Sequence, residues 1–145
     1  MNRRQAVVAE LVGLAAGDDY RDRADAGRAL AVFAELDEAR EALLRLVLDG
    51  GDTFVTLTTA EALLRRQDPA GFAIVAEALT SADPQQHTYI HQAAAAVFML
   101  YAAERDRAVE ACDALAGDAS VDVRQGAADL REMLAEIRPV LYPPN

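Results

Sequence analysis

His87 and His91, the two histidines of the chain, stand four residues apart, with Asp83 four residues before the first. On a helix that spacing can bring all three to one face, and a histidine pair with a carboxylate can hold a divalent metal. Asp83, however, directly precedes Pro84. A helix N-cap explains that arrangement without metal, because an Asp side chain accepts from the free amides of the first turn and Pro fits just inside it. The histidines therefore read as an ordinary polar helix face, and no metal or cofactor is expected. Cys112 is the lone cysteine, so no disulfide can form within the chain. Its surroundings, Ala108-Val109-Glu110-Ala111-Cys112-Asp113-Ala114-Leu115, are amphipathic, and a free cysteine there packs as a small hydrophobe. His91 and Cys112 belong to different predicted helices, with nothing to orient one as base toward the other as nucleophile. Carboxylates cluster at Asp18, Asp19, Asp22 and Asp25 and again at Asp37, Glu38 and Glu41. Acid–base chemistry would need a pocket that shifts their pKa values. Here Arg21, Arg23, Arg28 and Arg40 alternate with them at helical spacing, the pattern of a solvated, ion-paired surface. No glycine-rich phosphate loop or Ser-His-Asp signature occurs. No catalytic residue is assigned, and the chain reads as a non-enzyme.

The elements that carry these residues are helices. Val7, Leu11, Leu14 and Ala15 recur at three- and four-residue spacing, and similar periodicity continues to Ile137. Acids punctuate it at Gly17-Asp18-Asp19, Leu36-Asp37, Gly50-Gly51-Asp52, Gln67-Asp68-Pro69, Ala82-Asp83-Pro84 and Gly117-Asp118. Each marks a helix start, and a Gly before the cap ends the helix preceding it. Eight helices follow, at about 2–16, 20–35, 38–49, 53–66, 69–81, 85–103, 105–116 and 120–137. The β-branched run 53–59 could alternate as a strand, but it flows without a break into 60–66, so a helix capped at Asp52 is preferred. The span 2–137 forms one domain, and the Pro-containing tail 138–145 runs extended.

Composition bounds the partners. The net charge is −10, with 13 acids against 9 Arg in residues 1–72 and 11 against 5 in 73–145. Both halves would repel phosphate backbones, so no nucleic acid is expected. All 14 basic residues are Arg, which together with heavy alanine use points to a GC-rich, bacterial source. The N-terminal stretch is amphipathic and broken by Glu10, unlike a signal peptide. No apolar run is long enough to span a membrane. The cytoplasm is the expected location.

Aligning the segments on their small residues exposes a period near 33. Arg23 leads Ala26, Gly27, Ala29 and Leu30; Thr56 leads Thr59, Ala60, Ala62 and Leu63; His91 leads Ala94, Ala95, Val97 and Phe98; Arg124 leads Ala127, Ala128 and Leu130. The phrase Asp118-Ala119-Ser120-Val121-Asp122-Val123-Arg124-Gln125-Gly126-Ala127-Ala128 resembles the HEAT and HEAT-like (phycobilisome-lyase type) repeat family. The resemblance covers about 18–137. It implies an all-α, right-handed α-solenoid of about four helix pairs, with 2–16 as a capping helix. Thr56 and His91 depart from the family's arginine. Such stacks present extended surfaces to other proteins, so the resemblance implies an interaction module. An adaptor, or an inhibitor or immunity-type protein for a basic partner, fits the acidity. A bilin lyase or a DNA glycosylase, enzymes of the same family, fits it poorly, since a glycosylase needs a basic face and aromatic contacts to the base.

One stretch stands apart. From Gln67 to Ala103 there is no Arg, and Ala93 to Ala103 is apolar all the way round. A helix without a polar face is either internal core or the seat of a partner, a second copy of the chain included. Tyr89, His87, His91, Met99 and Tyr101 are the candidate partner-binding residues, with Tyr89, Met99 and Tyr101 expected as exposed anchors.

Overall fold

The computed structural model describes residues 2–143. Within them the chain is all helical, in eight α-helices: α1 (Arg3–Ala15), α2 (Tyr20–Leu30), α3 (Asp37–Val47), α4 (Thr53–Arg65), α5 (Pro69–Leu79), α6 (Pro84–Phe98), α7 (Ala102–Leu115) and α8 (Val121–Glu136). Among the described residues no helix is long and apolar enough to cross a membrane. Met1, Pro144 and Asn145, the last two part of the expected extended tail, lie outside the described residues.

Most helix starts fall where the sequence places acids. However, α1 is capped by Asn2, and α3 and α7, which follow Leu36 and Tyr101, have no side-chain cap, Asp37 being the first residue inside α3. The side chains of Asp19, Asp52, Asp68 and Asp83 each accept from an amide of the first turn. Asp83 and Gln86 form a reciprocal capping box, which satisfies two orphan donors at once. At α8 the cap is Ser120, while the Asp118 carboxylate accepts from the Ser120 N–H at 2.9 Å. The β-branched run 53–59 is helical. With Asp52 capping it, Val55, Thr56, Thr58 and Thr59 turn into the core, and the Oγ1 atoms of Thr56 and Thr59 have no hydrogen-bond partner among the described residues. Gln67 ends α4 in the left-handed region at φ 53°, the conformation that a glycine more often supplies after a helix.

Helix ends are held by arginine. Arg23 Nη1 donates to the carbonyls of Gly17 and Asp18 beyond α1, at 3.2 and 2.8 Å. Arg66 Nη1 serves Ala31 and Val32 beyond α2, at 2.7 and 3.0 Å. Arg124 Nη1 serves Asp118 and Ala119 beyond α7, at 2.8 and 3.2 Å. Arg105 Nη1 serves Ile137 and Leu134 at the end of α8, at 2.7 and 3.4 Å. Apart from Leu134 in the last turn of α8, these carbonyls follow the helix end, where no α-helical ladder supplies a donor. A guanidinium there makes the hydrogen bonds while placing positive charge near the negative end of the helix dipole. Arg23 and Arg124, which lead the first and last repeat units, thus do the same work. Where Thr56 replaces such an arginine, Gln86 of α6 donates through Nε2 to the Leu48 carbonyl before α4, at 3.0 Å.

Two helices end sooner than their periodicity suggests. The one expected over 20–35 ends at Leu30 and tightens into the 3-10 turn Ala31–Phe33, whose carbonyls Arg66 takes. The one expected over 85–103 stops at Phe98. The break coincides with pairing to the tail. The N–H groups of Val140 and Leu141 donate to the carbonyls of Met99 and Leu100, at 2.9 and 2.8 Å, and the Ala102 N–H donates to the Leu141 carbonyl at 2.8 Å. Tyr101 and Leu141 thereby form a parallel β-bridge. The Met99 N–H still donates to the Ala95 carbonyl at 3.0 Å, but from the Met99 carbonyl through Tyr101 the chain joins this ribbon, and α7 starts directly after it.

Side by side, α2, α4 and α6 make one row, while α1, α3 and α5 neighbour one another in a second. The four lead positions Arg23, Thr56, His91 and Arg124 fall in α2, α4, α6 and α8. At the C-terminal end the pattern changes, for α8 makes its most extensive contact with α5 rather than α6. Enclosed by α3, α4, α7 and α8, α5 buries Phe72, Ile74, Val75, Ala76, Ala78 and Leu79. Its Phe72 ring stacks on Phe98 at 6.2 Å between centroids. Gly126 permits the α5–α8 contact: a Cβ there would collide with the backbone of Ala76.

These contacts separate the effects of three substitutions. Gly126→Ala should destabilise by about 3 kcal/mol, since backbone rather than a side chain must yield. Gly13→Ala, with nothing near its added Cβ, should stabilise α1 by roughly 0.8 kcal/mol. Thr56→Val, which removes an unpartnered buried hydroxyl, should stabilise by about 1 kcal/mol. Urea unfolding followed by circular dichroism checks all three. Equal effects from the two glycine variants would remove the argument for a close α5–α8 approach.

Candidate interaction surface

The starts of α2, α4 and α6 are brought to a common edge. Tyr20 and Phe54, at the first turns of α2 and α4, meet edge to face at 6.1 Å. Arg23 reaches from α2 to Asp49 ahead of α4 through Nε and Nη2, at 2.9 and 3.2 Å. Gln86 ties the start of α6 to the same turn. Because each of these helices opens on a carboxylate, the edge is acidic. Asp49, Asp52 and Asp83, with Thr53 and Gln86, line a shallow polar cleft between the starts of α4 and α6. The Asp49 carboxylate is occupied by Arg23 and by the N–H groups of Gly51 and Asp52. Asp52 and Asp83 each use one oxygen as a cap and keep the other without a hydrogen-bond partner among the described residues. Asp18 and Asp22, both exposed, extend the edge at the start of α2.

The α6 residues singled out from the sequence are only partly brought together. Asp83 spends a carboxylate oxygen on the Gln86 N–H at 2.7 Å. His87 is exposed, and His91 turns to α8, where its Nε2 lies 3.1 Å from Glu136 Oε2. Among the described residues no group of three or more His, Cys, Asp or Glu side chains is placed to hold a metal ion. Tyr89, expected as an exposed anchor, is half-buried.

Met99 and Tyr101 are exposed, but on the ribbon rather than on a helix face. Leu100, Val140, Leu141 and Tyr142 are exposed beside them. Of the rest of the apolar stretch, Ala93, Ala94, Val97, Phe98 and Ala102 are core, Ala95 is half-buried, and Ala96 and Ala103 are exposed. Sequence reasoning missed the three tail residues. Their signal was an apolar triplet framed by Pro139 and Pro143, which is too short to distinguish a paired strand from a solvated tail. Gln86 was missed as well, although its place three residues after Asp83 is that of a capping-box partner.

Cys112 is buried in α7. Burial, reinforced by the neighbouring Asp113 carboxylate, pushes its thiol up to about 12. Since the thiolate is the reactive form, Cys112 should resist a disulfide reagent at pH 8 in native buffer and react fully in denaturant. Rapid native labelling, followed as thiol release, would contradict this placement.

No protein family model matches the chain, and no curated protein matches it. Among solved structures, the chain is similar to the crystal structure of an engineered protein of the Northeast Structural Genomics Consortium, at 24% identity and a TM-score of 0.36. The match covers 92% of this chain, which spans 65% of the length of that one.

Proposed function

We propose that the chain is a non-catalytic, HEAT-like protein-binding module whose acidic edge grips a basic partner, as an adaptor or an inhibitor does. The observation that carries the reading is the cleft between the starts of α4 and α6, lined by Asp49, Asp52 and Asp83, with the start of α2, which opens on Asp19, tied beside it through Arg23 and Asp49. Carboxylates presented at neighbouring helix starts suit a partner's arginine or lysine side chains inserted between them. The internal period of about 33 residues and its placement on alternate helices favour a right-handed repeat stack, with α1 as its capping helix. A lone buried thiol suits a reducing, cytoplasmic setting.

Because Asn caps a helix about as well as Asp, charge can be removed from this edge without removing the caps. Asp18→Asn, Asp52→Asn and Asp83→Asn combined should weaken binding of an arginine-rich peptide at least about tenfold and flatten its salt dependence. A control triple, Glu38→Gln, Glu41→Gln and Glu132→Gln, has the same net charge and should bind nearly as well as the unmodified protein. Isothermal titration at two salt concentrations makes the comparison. Equal losses in both triples would reduce the effect to net charge and overturn the edge as a site.

A further inference from the structure

The ribbon of residues 99–101 and 140–142 is an exposed apolar surface with an open strand edge. Val140 and Tyr142 are 68% and 64% exposed, and Met99, Leu100, Tyr101 and Leu141 are each about half exposed. Six residues are few beside the roughly 20–30 a side of a standard interface, so a partner seated here makes a small contact. On the tail, Leu141 directs its N–H and carbonyl toward Leu100 and Ala102. Strand alternation therefore turns the Tyr142 N–H and the Val140 carbonyl outward, and neither has a hydrogen-bond partner among the described residues. Pro143 favours extended backbone at Tyr142 and, lacking an N–H, limits how far the edge can be extended.

We propose that a second copy of the chain covers this ribbon, its residues 140–142 running antiparallel along the open edge. A twofold axis at Leu141 sets Tyr142 opposite Val140 of the other copy. The two outward groups then pair reciprocally, the Tyr142 N–H of each copy donating to the Val140 carbonyl of the other. This is the self-complementarity that an isologous interface requires. Charge selects the occupant. Two chains of net charge −10 repel each other wherever their acids meet, whereas residues 93–101 and 139–143 contain no charged side chain. A second copy can approach there without bringing carboxylates together. A basic partner gains nothing at this face that the acidic edge does not offer better. The inference does not rest on the acidic edge, which lies on other residues.

Sedimentation velocity of the full chain from about 5 to 500 µM tests the proposal, an interface of this size and few hydrogen bonds being expected to dissociate in the micromolar range. The sedimenting mass should rise from 15.6 kDa to twice that value. Tyr142→Lys and, separately, Val140→Lys should each raise the dissociation constant at least about tenfold while leaving the thermal melt of the dilute protein unchanged, both side chains being largely solvated in one copy. Hydrogen exchange at the Tyr142 amide should slow as concentration rises, a readout that apolar sticking without strand pairing would not move. A strict monomer at 500 µM overturns the proposal and leaves the ribbon to a strand from a different protein. A dimer equally strong in both lysine variants overturns it as well, as does a Tyr142 amide whose exchange ignores concentration. The asparagine triple of the acidic edge should dimerise like the unmodified chain, so the two readings fail independently.

Discussion

The contact between α5 and α8 sets the terms for the rest of the molecule. Gly126 brings the backbone of α8 against that of α5 at Ala76, a separation that no side chain at that position would allow. Helices this close bury their facing residues almost completely, and dispersion contacts scale with that closeness. With α8 on one side and α3, α4 and α7 around it, α5 is left as the most apolar helix of the chain. Most positions of α5 face other helices and have no room for a charge; its one charged residue, Glu77, lies at the margin, where it pairs with Arg40 at 3.0 Å. The Arg-free stretch continues into α6, where the constraint relaxes and the histidines reach the surface.

A stack of short helices multiplies helix ends, and each end leaves several backbone groups without intrahelical partners. The chain meets this at both polarities. Carboxylates serve the amides at helix starts, and guanidinium groups serve the carbonyls beyond α1, α2 and α7 and at the end of α8. In each of those four cases a single Nη1 bridges two carbonyls, leaving the remaining guanidinium nitrogens free for a second task. Arg66 illustrates the economy of the group: it holds Ala31 and Val32 while its other nitrogens reach Asp68 and Glu35. A lysine ammonium has no fork with which to do the same.

Most of the helical pattern could be read from the sequence because its determinants are local. A capping aspartate acts within three residues, and helical periodicity repeats every few. The acidic edge could be read only in part. Its carboxylates were visible as caps, but their assembly into one cleft depends on α2, α4 and α6 lying in register, which Gln86 and Arg23 fix across the turns. Residues 99–101 were misread for the opposite reason. Taken alone, Val97-Phe98-Met99-Leu100-Tyr101 continues a helix well, and the break coincides with pairing to Leu141, far along the chain. Tyr89 was misjudged because periodicity alone does not say how wide a strip of α6 its neighbours cover. The Arg-free stretch is divided, with Ala93, Ala94, Val97 and Phe98 in the core and Met99, Leu100 and Tyr101 exposed.

The parallel bridge between Tyr101 and Leu141 also imposes an order of events. Synthesis proceeds from the N-terminus, and early segments can fold before later ones exist. When residues 99–101 first emerge, the strand that will hold them has not been made, and local preference alone governs them. Helical periodicity favours helix there, whereas the folded chain holds these residues through backbone pairing with 140 and 141. The closing of the ribbon is therefore a late, non-local step that gathers the α7–α8 hairpin into a closed loop. Its entropic cost grows only slowly with the length of that loop.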